Sequence, residues 1–136
     1  MKINKPLNIA AGILINDENQ VLICQRKEDT SHPLKWEFPG GKIEEGETPR
    51  EALRRELVEE LAVDIQIDDE LVEYDYTYPN GRTVNLTFYT ITDYLPEPMN
   101  LTFADIQWID IADLDEYDFL DGDQSVINLL QFTYTD

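Results

Sequence analysis

The sequence has very little cysteine and histidine, which excludes two common structural features. Cys24 is the only cysteine and His32 the only histidine, so an intramolecular disulfide and a zinc site of the usual nitrogen and sulfur ligands are both excluded. Residues 1–15 hold only a short apolar stretch, interrupted by Asn8 and Gly12. Because that stretch is too short to cross a bilayer and has no convincing cleavage site, we expect a cytoplasmic protein that does not enter a membrane.

Positive charge is scarce as well. The chain carries 10 lysines and arginines against 29 aspartates and glutamates, a formal net charge of −19. Such a field repels a phosphate backbone, which argues against DNA or RNA polymers as partners. A small anionic substrate is compatible with it only where metal ions and a few local cations reverse the potential.

The length limits the organisation of the chain. Its 136 residues suffice for one hydrophobic core and are too few for two, so we expect a single domain over residues 1–136. The pattern predicts a hairpin of Ile9–Ile15 and Val21–Cys24, a long strand over Thr83–Tyr94, a short helix over Ile111–Tyr117 and a last helix over Gln124–Phe132. The oligomeric state is left open.

Three glutamates make one helix the most informative element. Glu56, Glu59 and Glu60 fall within an arc of about 100° on one helix face. Like charges at positions 56 and 60 cost an isolated helix roughly 0.2–0.5 kcal/mol, and a hard divalent cation would offset that cost. Thr48 as N-cap, Pro49 at the first helical position and a capping box closed by Glu51 fix the start of the helix.

The stretch from Gly41 to Val63 resembles the signature of the Nudix hydrolases. Gly41 is followed after five residues by Glu47, and after seven more by the run Arg55-Glu56-Leu57-Val58-Glu59-Glu60-Leu61-Ala62-Val63. Ala62 replaces the family's last glycine, a departure that concerns the turn after the helix rather than the carboxylates. The preceding run, Trp36-Glu37-Phe38-Pro39-Gly40-Gly41-Lys42, resembles the MutT-like branch, which hydrolyses nucleoside triphosphates.

The resemblance implies a fold and a catalytic site. The implied fold is an α/β/α sandwich with a mixed central sheet. The implied cofactor is Mg²⁺ or Mn²⁺, held by Glu56, Glu59, Glu60 and the Gly41 carbonyl. One of the three glutamates would also take a proton from the attacking water, while Glu47 and Arg55 would support the loop and the helix.

The resemblance also implies residues that bind a small nucleotide substrate. Lys42 is available for a phosphate, and the paired glycines, Gly40 and Gly41, allow close approach of a ligand. Arg26 matches an arginine that reaches the substrate in MutT-like relatives, and Arg82 matches one that lies against the nucleotide. An ordinary strand-end charge and a solvated turn charge are the respective alternatives.

Two further residues are predicted to bind the base. Phe38 offers an aromatic face, and Asp123 stands where the MutT-like branch places an asparagine or aspartate that reads the base edge. An ionised aspartate only accepts hydrogen bonds, which favours the amino or imino donors of cytosine or of guanine, including an oxidised guanine. The alternative is that Asp123 caps the final helix.

One position departs from many relatives, which carry a further glutamate in a late loop. The corresponding residue is Thr102, and its hydroxyl cannot act as the base. Glu97 or Asp105 would then substitute, or the helix glutamates would suffice, or the enzyme would be slow. The sequence therefore predicts a nucleoside triphosphate pyrophosphohydrolase. A hydrolase of another diphosphate-linked substrate, such as a nucleotide sugar or a dinucleoside polyphosphate, and a non-catalytic Nudix-like binding module are the alternatives.

Overall fold

A computed structural model describes residues 7–134, so both ends of the predicted domain lie outside the described residues. Within that range the chain forms nine strands, two α-helices and two 3-10 helical turns. The strands are β1 (Leu7–Leu14), β2 (Gln20–Gln25), β3 (Trp36–Glu37), β4 (Gly40–Lys42), β5 (Asp64–Gln66), β6 (Glu70–Thr77), β7 (Thr83–Ile91), β8 (Asp93–Leu95) and β9 (Asp105–Asp110). The helices are α1 (Pro49–Leu61) and α2 (Gln124–Tyr134), and the 3-10 turns cover Ile111–Glu116 and Asp121–Asp123.

The central sheet is mixed, as the resemblance implies. Its strand order is β4-β1-β7-β6, with β1 parallel to β7 and the other neighbours antiparallel. A second sheet has the order β3-β2-β9, and β5 pairs with β8.

A helix packs on each side of the central sheet. Because side chains alternate along a strand, β1 sends Ala10 and Leu14 into a core with α1 and Ala11 and Ile13 into a core with α2. The buried residues of the two helices are Leu53, Leu57 and Leu61 of α1, and Val126, Ile127 and Leu130 of α2. The expected α/β/α sandwich is confirmed.

The predicted hairpin of the first two strands is wrong. β1 pairs with β4 and β7, whereas β2 pairs with β3 and β9. Only an isolated bridge between Ile15 and Val21 joins them at the turn. Both edges of each strand are thus paired with strands from other parts of the chain, which leaves no edge for a ladder between β1 and β2.

The predicted long strand over Thr83–Tyr94 is also wrong in one respect, since it is divided at Thr92. The Asp68 carboxylate accepts hydrogen bonds from the Thr92 N–H at 3.0 Å and from its hydroxyl at 2.9 Å. The backbone donor is therefore removed from the ladder, and β8 leaves to pair with β5.

The start of α1 follows the prediction and sets its register. The Thr48 hydroxyl accepts the Glu51 N–H at 3.1 Å, and the Glu51 carboxylate accepts the Thr48 N–H at 2.9 Å. At the other end, Ala62 adopts a left-handed conformation, φ 52° and ψ 42°. Two N–H groups of a later loop, from Met99 and Leu101, bond the last carbonyls of the helix. Both ends of the glutamate-bearing helix are thus fixed.

Candidate active site

Two glycines at the start of β4, Gly40 and Gly41, bring the backbone close to β1 and to α1, and this stretch is called the glycine loop. Gly40 has a φ of 149°, and a side chain there would collide with the Ala10 carbonyl. A Cβ at Gly41 would lie 2.7 Å from both carboxylate oxygens of Glu56. Glycine at position 40 is therefore required by the backbone of β1, and glycine at position 41 leaves room for the Glu56 carboxylate beside the backbone.

Glu60 reaches back from α1 to this loop. Its Oε1 accepts the Gly40 N–H at 3.1 Å. Burial, followed by the like charges of Glu56 and Glu37, raises the pKa of Glu60 to about 8, although the Gly40 N–H lowers it. The raised pKa marks a place where negative charge is poorly compensated, and a bound cation would lower it.

Arg55 ties the loop before the helix to the helix itself. It donates to both oxygens of Glu47, from Nε at 2.7 Å and from a terminal nitrogen at 2.9 Å, and also to Glu56 at 2.9 Å and to the Lys42 carbonyl at 3.1 Å. The Arg55 hydrogen bonds and the Glu44 N–H hold the pKa of Glu47 down at about 2. Such a bidentate pair fixes geometry as well as charge.

The three predicted metal-binding glutamates are neighbours, but they do not converge. Glu56 is bonded to Arg55, Glu60 to the Gly40 N–H, and the Glu59 side chain is 59% exposed. Across residues 7–134 no group of three or more histidine, cysteine, aspartate or glutamate side chains is gathered so that it could hold a metal ion. The donor set still fits a hard cation by its chemistry, because it consists of oxygen ligands with surplus negative charge.

Asp123 is buried beside the loop that precedes the site. It is 6% exposed. Burial, followed by the charge of Glu37, raises its pKa well above the ordinary aspartate value, while a hydrogen bond from the Phe38 N–H and the charge of Arg26 lower it. Such a carboxyl keeps its proton to higher pH, and the protonated group offers one donor and one acceptor. Asp123 is therefore a purely accepting group only once it has ionised, and its role in reading the base stays a prediction.

The expectation that Phe38 offers an aromatic face to the base is corrected by the structure. Its side chain is 4% exposed, with ring centroids 5.3 Å from Phe119 and 6.2 Å from Phe88. Its ring belongs to the core on the α2 side. Only its backbone N–H meets Asp123.

Tyrosines that sequence reasoning missed lie beside Asp123. The Tyr74 hydroxyl donates to the Gly122 carbonyl at 2.6 Å. Burial, followed by the charge of Asp123, raises the pKa of Tyr74 and of Tyr78. The Tyr78 ring also lies 5.2 Å from the ring of His32. The alternation of tyrosines at positions 74, 76 and 78 was a usable signal, since every second residue of a strand shares a face.

Arg26 is held in place more firmly than the sequence indicates. Its Nε donates to the Ser31 carbonyl at 2.8 Å and one terminal nitrogen to the Ser31 hydroxyl at 3.1 Å. The other terminal nitrogen donates to both oxygens of Glu37, at 3.2 and 3.3 Å. Sequence reasoning assigned no role to Ser31 or Glu37, because neither belongs to the Nudix signature.

The other predicted cations lie at the surface. Lys42 ends β4 and Arg82 follows the turn before β7, and both are exposed. Gly81 in that turn has a φ of 86°, and its N–H donates to the Tyr78 carbonyl at 2.8 Å. Pro79, Asn80 and Gly81 therefore lie in a turn, a position that all three residue types favour.

The late loop supplies no free carboxylate in this conformation. Thr102 is exposed. Glu97 accepts the Trp108 indole N–H at 2.9 Å, and Asp105 accepts from the Gln107 amide at 2.8 Å. Both candidate substitutes for the missing glutamate are therefore engaged elsewhere.

A mixed-sheet sandwich in which a double-glycine loop meets a glutamate-bearing helix defines the class of Nudix-type pyrophosphohydrolases. The family model for the NUDIX domain matches residues 6–130. This chain belongs to the NUDIX family, in its MutT-like branch, and it is a pyrophosphohydrolase. Nudix hydrolases generally depend on divalent metal ions.

Three relatives illustrate the relationship. The 8-oxo-dGTP diphosphatase of Escherichia coli K12 is 35% identical over 127 residues, which cover 93% of this chain and 98% of that protein. The CTP pyrophosphohydrolase of the same strain is 31% identical over 90 residues, 66% of this chain and 65% of that protein. The solution structure of MutT from methicillin-resistant Staphylococcus aureus 252 superposes with a TM-score of 0.76 at 34% identity, covering 96% of this chain and 98% of that one.

No helix between residues 7 and 134 has the length and apolar character needed to cross a membrane.

Proposed function

We propose that this chain hydrolyses nucleoside triphosphates to a nucleoside monophosphate and pyrophosphate, with Mg²⁺ or Mn²⁺ as cofactor. The observation that carries the proposal is the contact between the glycines and the carboxylates of α1: Glu60 accepts the Gly40 N–H at 3.1 Å, and the Glu56 carboxylate lies against Gly41. Glu60 is half-buried, and the like charges of Glu56 and Glu37 lie near it. Surplus negative charge of this kind would hold a cation, and the cation would in turn bind the oxygens of a phosphate chain.

The cation would be held by Glu56, Glu59, Glu60 and the Gly41 carbonyl. When bound, it supplies charge for the phosphate oxygens and lowers the pKa of water. Arg55 fixes Glu56 beside the glycine loop, and Glu47 fixes Arg55 in turn. These two residues hold the ligand set in register with the loop.

The reaction moves one proton and exchanges one phosphorus–oxygen bond. The oxygen of a water molecule bonds to the α- or the β-phosphorus of the nucleotide, and the bond from that phosphorus to the α–β bridging oxygen breaks. The other product leaves with the bonding electrons, which is pyrophosphate for attack at the α-phosphorus and the monophosphate for attack at the β-phosphorus. One of the three helix glutamates takes the proton from the water. The helix glutamates are proposed for this role rather than Glu97 or Asp105, each of which accepts a hydrogen bond from another side chain.

Substrate binding is assigned to cations and to backbone close to the glycines. Lys42 neutralises phosphate charge, and Gly40 allows the phosphate chain to approach the backbone. Arg26 and Arg82 bind the nucleotide. This assignment is supported by the position of Arg26, whose charge acts on buried Asp123.

We assign recognition of the nucleobase to Asp123 in its protonated form. A neutral carboxyl pairs with an edge that presents one acceptor next to one donor. Cytosine offers such an edge at N3 and N4, and guanine, oxidised or not, offers one at O6 and N1. Two of the relatives reported above are named as an 8-oxo-dGTP diphosphatase and a CTP pyrophosphohydrolase, and these nucleotides carry the two kinds of base.

Purified protein incubated with a panel of nucleotides tests the proposal. The panel should contain CTP, dGTP, 8-oxo-dGTP, a nucleotide sugar and a dinucleoside polyphosphate, with and without Mg²⁺. We expect Mg²⁺-dependent release of pyrophosphate and monophosphate from at least one triphosphate. Turnover of only the sugar or dinucleoside substrates would replace the proposed substrate class. Tight, metal-independent binding without turnover would replace catalysis by a binding function.

A further inference from the structure

The loop that follows β2 returns to the residue at its start. The Arg26 N–H donates to the Lys35 carbonyl at 2.9 Å, and the Arg26 carbonyl accepts the Leu34 N–H at 3.1 Å. The backbone of Arg26 is therefore fixed on both sides. Residues 27–34 form an exposed excursion between these two bonds.

The side chain of Arg26 is fixed from two directions. Ser31, inside the excursion, occupies Nε and one terminal nitrogen, and Glu37, on β3, occupies the other terminal nitrogen. All three guanidinium nitrogens thus have a partner. Each terminal nitrogen carries two hydrogens, so donors are left over for a ligand.

The guanidinium is close to the residues assigned to the base. Its charge acts on Asp123 and on Tyr78, and the side chain is 23% exposed. Glu37 is a half-buried carboxylate whose charge is felt by both Asp123 and Glu60. Glu37 therefore lies near both Asp123 and Glu60, and it holds Arg26 on the side of Asp123.

We propose that Ser31 and Glu37 are positioning residues that hold Arg26 ready for the nucleotide, so that the substrate meets a cation already in place. This inference rests on the proposed function. Long, rotamer-rich side chains lose conformational freedom when a ligand binds them, and fixing them beforehand removes that cost from binding. The arrangement should therefore lower KM and have little effect on kcat.

A double-mutant cycle tests this role. R26A, E37A and S31A, together with R26A/E37A and R26A/S31A, should be assayed on the best triphosphate from the panel. We expect E37A to raise KM roughly three- to tenfold, as loss of one preorganised side chain does, with kcat within about twofold. S31A should act in the same direction but less, because the Ser31 carbonyl still accepts from Nε. In the R26A background neither change should have a further effect.

Control variants separate this role from general damage. T30A removes a hydroxyl from the same excursion, where it donates to the Lys27 carbonyl at 2.7 Å, and it should leave kcat and KM unchanged. E37Q, which keeps the size of the side chain and one accepting oxygen, should recover part of the loss seen in E37A. Melting temperatures should be measured for every variant.

The outcomes are distinct. An effect of E37A that persists at full size in the R26A background would mean that Glu37 acts through Glu60 or Asp123, and would overturn the inference. A fall in kcat with unchanged KM would overturn it as well. Failure of the wild-type protein to hydrolyse any triphosphate would instead overturn the proposed function.

Discussion

Carboxyl groups of the same residue type have very different pKa values in this site, because their surroundings differ. Glu47 precedes α1 and Glu60 lies near its end. Arg55 holds the pKa of Glu47 at about 2, whereas burial and like charges raise that of Glu60 to about 8. Glu47 is thus charged at any physiological pH and serves to hold Arg55. Glu60 gains most from a cation.

The raised pKa of Glu60 predicts a stability cost that depends on pH. Below the unfolded value, near 4.5, the carboxyl is neutral in both states. As pH rises toward 8, the unfolded state releases its proton first, so the free energy of unfolding falls. The side chain introduced by E60Q is neutral at every pH. In EDTA the free energy of unfolding of E60Q should exceed that of the wild type by at least about 1 kcal/mol at pH 8.5 and by much less at pH 4.5.

Urea unfolding at the two pH values measures this difference. E45Q is the matched control, because Glu45 is an exposed glutamate in the turn just before the helix. Its difference from the wild type should be small at both pH values. If the free energies of unfolding of E60Q and the wild type differ by the same amount at pH 4.5 and 8.5, the conclusion that the charge of Glu60 is uncompensated is contradicted.

Asp123 predicts a second pH dependence, this time in substrate selection. The charged and titratable groups that face it are Glu37, Arg26, Tyr74 and Tyr78. If the protonated carboxyl binds the base, D123N matches it at low pH, since an amide also offers one donor and one acceptor. As Asp123 ionises, the wild type loses its donor and the amide does not. The ratio of kcat/KM for D123N to that of the wild type should therefore rise by roughly tenfold over the pH range in which Asp123 ionises.

This ratio should be measured from pH 6 to 9 with the best triphosphate. Effects of the metal site on rate cancel in it, because both proteins share that site. A ratio that falls with pH would show that the ionised, accepting form binds the base.

Among the secondary-structure elements, α1 shows what local sequence predicts well. Thr48, Pro49 and Glu51 specify its first turn within four residues of each other, and the structure has that turn as predicted. The hairpin of β1 and β2 failed, because pairing between strands depends on distant residues. The break at Thr92 is of the same kind, since the Asp68 that causes it is far away in the sequence.

The end of α1 carries a testable strain. Ala62 has a φ of 52°, a left-handed conformation that costs a non-glycine residue roughly 1–2 kcal/mol. A62G restores the residue typical of the family signature and should raise the free energy of unfolding by about 0.5–1 kcal/mol, after the greater flexibility of unfolded glycine is subtracted.

The inverse change at Gly46 is the control for A62G. Gly46 has a φ of 86°, and a Cβ added there would meet only open space, so G46A tests backbone strain without a steric clash and should destabilise the protein. Chemical denaturation of both variants measures the two effects. A62G no more stable than the wild type would show that the turn is not strained.

At the scale of the whole molecule, the Nudix signature predicted more than composition did. The net charge of −19 describes the chain as a whole and does not locate a site. The signature predicted the sandwich and placed Gly41, Glu56 and Glu60 in mutual proximity, which the structure shows. Glu37 and Ser31 were missed because their importance lies in contacts with Arg26 that only the folded chain reveals.

Release of pyrophosphate during a Mg²⁺ titration, compared between the wild type and E59Q, tests the central claim that α1 holds a catalytic cation. Glu59 is exposed, so E59Q should fold normally, as circular dichroism can verify, and E45Q again serves as the matched control. We predict that kcat of E59Q is lower by at least about a hundredfold, the effect of losing a principal electrostatic group, while E45Q stays near the wild type. Near wild-type turnover by E59Q at saturating Mg²⁺ would contradict the assignment of this helix face to metal binding.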